Sequence, residues 1–294
     1  MILCKIYYPP DLNYMLNRRN FLTLTLQGVV LISTEYALTG CRSAAVTPEA
    51  PEKRSLLLRF ATASDGHFGQ PKTAYEETHR KLIGWLNQEK VDHQLDFFVI
   101  NGDLFDNEPS FLPEVKKVWD GLTMPYYVAH GNHDRVTEEV WQHTWGKPWH
   151  YGFEFGDCGF LVLNTADVAG TYICPDMAWV KENLPKYDHK KHLFVFMHIT
   201  PMKWTQFGID CPELVDLFSK QANLRGVFHG HDHAEDGVKE KNGKAYFFDG
   251  HIAGSWGVPY SGYRIVEVFS DGEILVYQVN PESKDAVNRF EVKG

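Results

Sequence analysis

Short apolar runs and stretches with helical spacing alternate along the chain from residue 56 onward. Runs at 56–63, 97–100, 126–129, 160–163, 193–197 and 226–228 are rich in β-branched and aromatic residues and predict strands. Between them, 74–90 repeats apolar residues at helical intervals, with Leu82, Trp85 and Leu86 on one face, and 176–184 does the same over a shorter span. These read as crossover helices, and the alternation predicts an α/β domain. Two hairpins are also expected. One joins 263–269 to 273–279 through Ser270-Asp271-Gly272, and the other joins 151–156 to the run at 160–163.

Several predicted strands end in a polar constellation rather than a neutral turn. The clusters are Asp65-Gly66-His67, Gly102-Asp103-Leu104-Phe105-Asp106, Gly131-Asn132-His133-Asp134, His198 and Gly230-His231-Asp232-His233. Each alone reads as an ordinary loop or a structural histidine. Open α/β sheets, however, gather ligands at the carboxyl ends of their strands, so loops far apart in sequence converge there. Carboxylates, imidazoles and an amide oxygen without thiolates suit Mn, Fe, Zn or Ni. Asp65, His67, Asp103, Asn132, His198, His231 and His233 are too many ligands for one ion, which predicts two adjacent sites.

This set resembles the calcineurin-like metallophosphoesterases, whose pattern D-x-H, G-D-x-x-D, G-N-H-D, H, G-H-x-H runs here without a gap from about residue 56 to 280. The resemblance implies two packed mixed β-sheets flanked by helices, a four-layer αββα sandwich. It also implies that Asp65, His67 and His233 hold one divalent metal ion and Asn132, His198 and His231 a second, with Asp103 bridging them. By the same resemblance, hydroxide between the metals attacks phosphorus, His133 acts on the leaving group and Asp106 orients His133. Residue 106 is not the tyrosine of the purple acid phosphatase subgroup. The short Ile199-Thr200-Pro201 segment after His198 is similar to class III cyclic-nucleotide phosphodiesterases. The expected activity is phosphodiester or phosphomonoester hydrolysis on a small substrate. The competing expectation is a non-catalytic metal-binding scaffold of the same fold, which would need neither His133 nor Asp106.

Composition changes this picture little. The chain has 294 residues, 44% hydrophobic and 23% charged, with a formal net charge of -9, so a large core is affordable and nucleic acid is a weak partner. The N-terminal segment adds targeting. Asn17-Arg18-Arg19-Asn20-Phe21-Leu22 is a twin-arginine pattern, the apolar run after it is too short to span a membrane, and Leu38-Thr39-Gly40-Cys41 resembles a lipobox. The expectation is a signal segment over 1–41, possible initiation at Met15, a linker over 42–55 and a catalytic domain over 56–294. The exported protein would be anchored to the membrane by lipid on Cys41 and face the periplasm or the cell exterior. Cys174 and Cys211 each precede a proline. An exported protein could pair them, and free thiols fit equally well. Arg135 could hold a phosphate, and the stretch 203–212, with Trp204 and Phe207, could roof the site and set specificity. Trp141, Trp145, Trp149 and Tyr151 could line a cleft or fill the core.

Overall fold

The computed structural model describes residues 54–292. The twin-arginine pattern, Cys41 and nearly all of the linker lie outside the described residues. In chain order the strands are β1 (Leu56–Ala63), β2 (Phe97–Asn101), β3 (Tyr126–Ala129), β4 (Tyr151–Phe155), β5 (Cys158–Leu163), β6 (His192–Met197), β7 (Leu224–His229), β8 (Val238–Lys241), β9 (Lys244–Phe248), β10 (Tyr263–Phe269), β11 (Ile274–Asn280) and β12 (Asp285–Val292). The helices are α1 (Tyr75–His93), α2 (Leu112–Trp119), α3 (Glu138–Trp145), α4 (Met177–Asn183) and α5 (Pro212–Lys220). No described helix is long and apolar enough to cross a membrane.

The strands form two six-stranded mixed sheets, ordered β12-β11-β10-β1-β2-β3 and β4-β5-β6-β7-β9-β8. In the first, β1, β2 and β3 are parallel, and in the second β5, β6, β7 and β9 are parallel. Both expected hairpins form, β10 with β11 and β4 with β5.

Alternation along each strand splits its apolar run between two cores. From β1 and β2, Leu58, Phe60, Phe97 and Val99 point between the sheets, where they meet Phe160, Phe194, Phe196 and Phe228. The alternate residues Ala61, Ala63, Phe98 and Ile100 face the opposite way, onto Leu82 and Leu86 of α1, Val115 and Trp119 of α2 and Trp141 of α3. On the far side, Leu193, Val195 and Met197 of β6 pack under Val180 of α4 and Leu214 and Phe218 of α5. The result is the expected αββα layering.

Helix ends follow local chemistry. α1 runs to His93, past the predicted end at residue 90, and closes on Gln94 in the left-handed region at φ 58°. α4 starts where Asp176 accepts from the backbone N–H groups of Ala178 (2.8 Å) and Trp179 (3.2 Å). Asp176→Ala should therefore lower unfolding free energy by about 1 kcal/mol, read as a lower urea midpoint at unchanged denaturant slope. An unchanged midpoint would show that the cap carries no stability.

One polar network joins the sheets beneath the end where the chemistry gathers. Fully buried Arg264 of β10 donates to Asp249 Oδ1 (2.9 Å), just past β9, and to the Asp236 carbonyl (2.8 Å). Thr62 of β1 donates to Asp249 Oδ2 (3.0 Å), and Gln278 of β11 to the Asp249 carbonyl (3.0 Å). Pairing and hydrogen bonds offset part of the cost of burying these two charges, and removing either partner would leave the other uncompensated.

Candidate metal centre

Every polar cluster directly follows a parallel strand. Asp65 and His67 come after β1, Asp103 and Asp106 after β2, Asn132 and His133 after β3, His198 after β6, and His231 and His233 after β7. Adjacent parallel strands end on the same side, so these loops meet. Asp65 (φ 59°), His67 (42°), Asp103 (53°) and His231 (67°) all adopt left-handed backbone, which costs non-glycine residues on the order of 1–3 kcal/mol each and clusters at functional sites. Loop-to-loop hydrogen bonds hold them there: Asp65 N–H donates to the Gly102 carbonyl (3.1 Å) and His67 N–H to the Asp103 carbonyl (2.9 Å). Two motif glycines admit the neighbouring carboxylates. A Cβ on Gly131 would overlap Asp103, and one on Gly230 would overlap Ser64 and the Asp65 carboxylate.

The side chains form three groups, Asp65/His67/His233, Asp103/His198/His231 and His67/Asp106/His133, the first and third sharing His67. In the first, His233 Nε2 lies 3.0 Å from Asp65 Oδ1 and 3.1 Å from His67 Nε2. In the second, His198 Nε2 lies 3.1 Å from Asp103 Oδ2. Asp103 Oδ2 is also 3.7 Å from His67 Nε2, placing this carboxylate between the two groups. Backbone N–H groups fix both carboxylates, His231 donating to Asp65 Oδ2 (2.8 Å) and His133 to Asp103 Oδ1 (2.8 Å).

The outer nitrogens decide what the inner ones can do. His233 Nδ1 faces the Trp256 carbonyl (3.2 Å), His198 Nδ1 the Asn101 carbonyl (2.8 Å) and His67 Nδ1 the Asp106 carboxylate (3.2 Å). Each acceptor calls for a proton on Nδ1, so in the neutral imidazole the inward Nε2 carries a lone pair. Lone pairs 3.1 Å apart, as on His67 and His233, repel unless a cation or a proton lies between them. His231 Nε2, His198 Nε2 and Asn132 Oδ1 are buried without hydrogen-bond partners. This all-nitrogen and oxygen donor set fits divalent cations.

The same carboxylates attract positive charge in any form. For His67, burial opposes protonation, but hydrogen bonds to Asp106 and Asp65 and the charges of Asp103 and Asp65 outweigh it, raising the group to about 10. For His198, burial is likewise outweighed by Asp103 and Asp65, raising it to about 9. Cation binding would compete with these protons.

Residues 58–235 match the family model of the calcineurin-like phosphoesterases. The chain belongs to the calcineurin-like phosphoesterase family. No curated protein matches it in sequence. Among solved structures, a dimetal phosphatase from Danio rerio aligns with TM-score 0.64 at 10% identity, covering 81% of this chain and 99% of that one. A purple acid phosphatase from yellow lupin (Lupinus luteus) seeds aligns with TM-score 0.60 at 13% identity, covering 80% of this chain and 53% of that one. At such identities the likeness is one of fold. Family membership identifies a phosphoesterase, a hydrolase with candidate metal-ligand residues.

Around this phosphoesterase centre, Asp106 Oδ1 lies between His67 Nδ1 (3.2 Å) and His133 Nδ1 (3.3 Å), and the His133 side chain is 30% exposed, more open than the other imidazoles. Arg135 is exposed and borders the loop at Gly170. Trp204 packs on Tyr246 (5.2 Å) and Phe248 (6.2 Å) of β9, away from the imidazoles, because β9 offers its indole an apolar bed. From the same loop it is Phe207 that reaches His231, at 5.8 Å. Trp141 is fully buried, Trp149 lies over His130 (4.6 Å), and the Tyr151 hydroxyl pairs with backbone of Val128, so these aromatics build the core.

Cys174 and Cys211 are bonded to each other across 37 positions, while Cys158 is a buried free thiol. Sequence reasoning did not single out Tyr172, Trp256, Asp249 or Arg264. Trp256 had one faint signal, its place between Gly254 and Gly257 just after His251.

Proposed function

We propose that this phosphoesterase hydrolyses a phosphodiester or phosphomonoester of a small substrate with two divalent cations, one held by Asp65, His67 and His233, the other by Asn132, His198 and His231, and with Asp103 shared. The observation that carries this reading is the convergence of both ligand groups on Asp103, with the His133–Asp106 pair at their open side. The cations would lower the pKa of the attacking water and neutralise charge on the phosphoryl oxygens. The chain's own groups do the rest. Asp106 accepts from His67 Nδ1 (3.2 Å) and lies 3.3 Å from His133 Nδ1, so its charge helps orient His133, which in this reading gives a departing alkoxide its proton. A scaffold would need neither group. The Cys174–Cys211 bond favours an oxidising compartment and so supports export, whatever the route.

After stripping by chelator, the protein should be inactive on a chromogenic phosphodiester and on the matching monoester, and added Mn should restore turnover of at least one. Turnover confined to the monoester would narrow the function to a phosphatase. Absence of turnover with two equivalents of metal bound would replace this reading with the scaffold.

A further inference from the structure

Exposed large apolar side chains are costly to keep in water when they gather in one place. Val168 (45% exposed), Tyr172 (38%), Ile173 (38%) and Trp256 (43%) stand on the two loops that follow β5 and β9, both at the metal-ligand end of the sheets.

Three aromatic rings among these and the neighbouring loop meet the ligand imidazoles. Tyr172 lies 4.7 Å from His231 at 84°, and Phe207 lies 5.8 Å from the same ring at 87°. Trp256 lies flat on His233 at 4.5 Å and 16°, and it touches Phe207 at 5.3 Å. The rings come from three separate loops, and each loop is tied down. The Cys174–Cys211 bond links the Tyr172 loop to the Phe207 loop. Ile173 N–H donates to the Thr165 carbonyl (2.9 Å) and Ile209 N–H to the Thr200 carbonyl (3.1 Å). The Trp256 carbonyl accepts from His233 Nδ1 (3.2 Å), and Val258 N–H donates to the His233 carbonyl (2.8 Å). Rigid aromatic faces bind flat partners with little entropy left to lose.

From this arrangement we infer that Tyr172, Phe207 and Trp256 form a specificity platform for a flat aromatic substituent, aryl or nucleobase, carried by the phosphoester. Resting on the catalytic reading above, it assigns that site its substrate class. The phosphoryl group meets the ligand cluster while the aromatic group lies against Phe207 and Trp256. Stacking of this kind changes affinity roughly 10- to 100-fold.

The test is calorimetric binding to Mn-loaded protein, which needs no turnover. Phenylphosphonate should bind roughly 10- to 100-fold more tightly than methylphosphonate, and thymidine 5′-monophosphate should outbind ribose 5-phosphate if the natural group is a nucleobase. Trp256→Ala and Phe207→Leu should each pull the phenyl-to-methyl ratio towards one with two metals retained, while Tyr172→Phe, which keeps the ring, should preserve it. Equal affinities in the wild type, or an undiminished ratio in both Trp256→Ala and Phe207→Leu, would overturn the platform. A preserved ratio in a protein that hydrolyses nothing would leave the platform standing and remove the catalytic reading. If neither phosphonate binds, both fall.

Discussion

Replacing Asp103 by Asn is expected to lower kcat/KM by about 1,000-fold or more, the scale of losing a preorganised electrostatic group, and to leave fewer than two metal ions per chain. Asp103 faces both ligand groups, 3.1 Å from His198 Nε2 and 3.7 Å from His67 Nε2 through Oδ2, while Oδ1 accepts from His133 N–H at 2.8 Å; Asp65, 3.0 Å from His233 Nε2, stands farther from His198 Nε2, at 3.8 Å. Asn keeps the volume and one acceptor oxygen, so the loop geometry survives. What disappears is the negative charge, and an amide N–H turned inward would donate to an imidazole lone pair and withhold it from a cation. Metal content by elemental analysis, read beside kcat/KM and a thermal melt, separates loss of the centre from loss of the fold. A folded variant with two metals and activity within tenfold of the wild type would rule out the shared role.

His133→Asn should act differently. Its backbone N–H still supports Asp103, and its side chain belongs to neither metal group of the proposed mechanism, so metal content should stay at the wild-type level. The rate should fall by roughly 100- to 10,000-fold, the range for removing a positioned general acid. The decisive readout is leaving-group dependence. An ester whose leaving group is a poor alkoxide needs the proton and should lose most, whereas a nitrophenolate leaves without help and should lose least. Asp106→Asn should reproduce this selectivity more weakly, since it leaves His133 in place with a poorer partner, and it should also loosen His67, whose Nδ1 lies 3.2 Å from the same carboxylate. A loss equal for all leaving groups would assign His133 to charge stabilisation instead of proton donation.

Much of this molecule is legible without coordinates. The strand expected over Leu56–Ala63 matches β1 end to end, and Tyr263–Phe269 matches β10, because runs of β-branched and aromatic residues bounded by turn residues are local signals. The signal for the candidate metal ligands is equally local. Ligand type depends on donor atoms, and each donor cluster sits within a few residues of a strand end. Other elements left little trace. α2 and α3 each span only eight residues, too few turns for periodicity to stand out, and β12 is a largely exposed edge strand whose Phe290 and Val292 touch the inter-sheet core, too sparse a pattern to stand out.

The sequence by itself determined the α/β order, the family pattern and the candidate metal ligands, since all three are written in short windows of residue type and spacing. Only tertiary structure decided that Trp204 packs on β9 while Phe207, Tyr172 and Trp256 surround the imidazoles, that Cys174 meets Cys211, and that Arg264 pairs with Asp249 between the sheets. Those relations join residues on different loops and strands. Which of them touch is fixed by how the two sheets stack and where their parallel strands end, and no window along the chain contains that information.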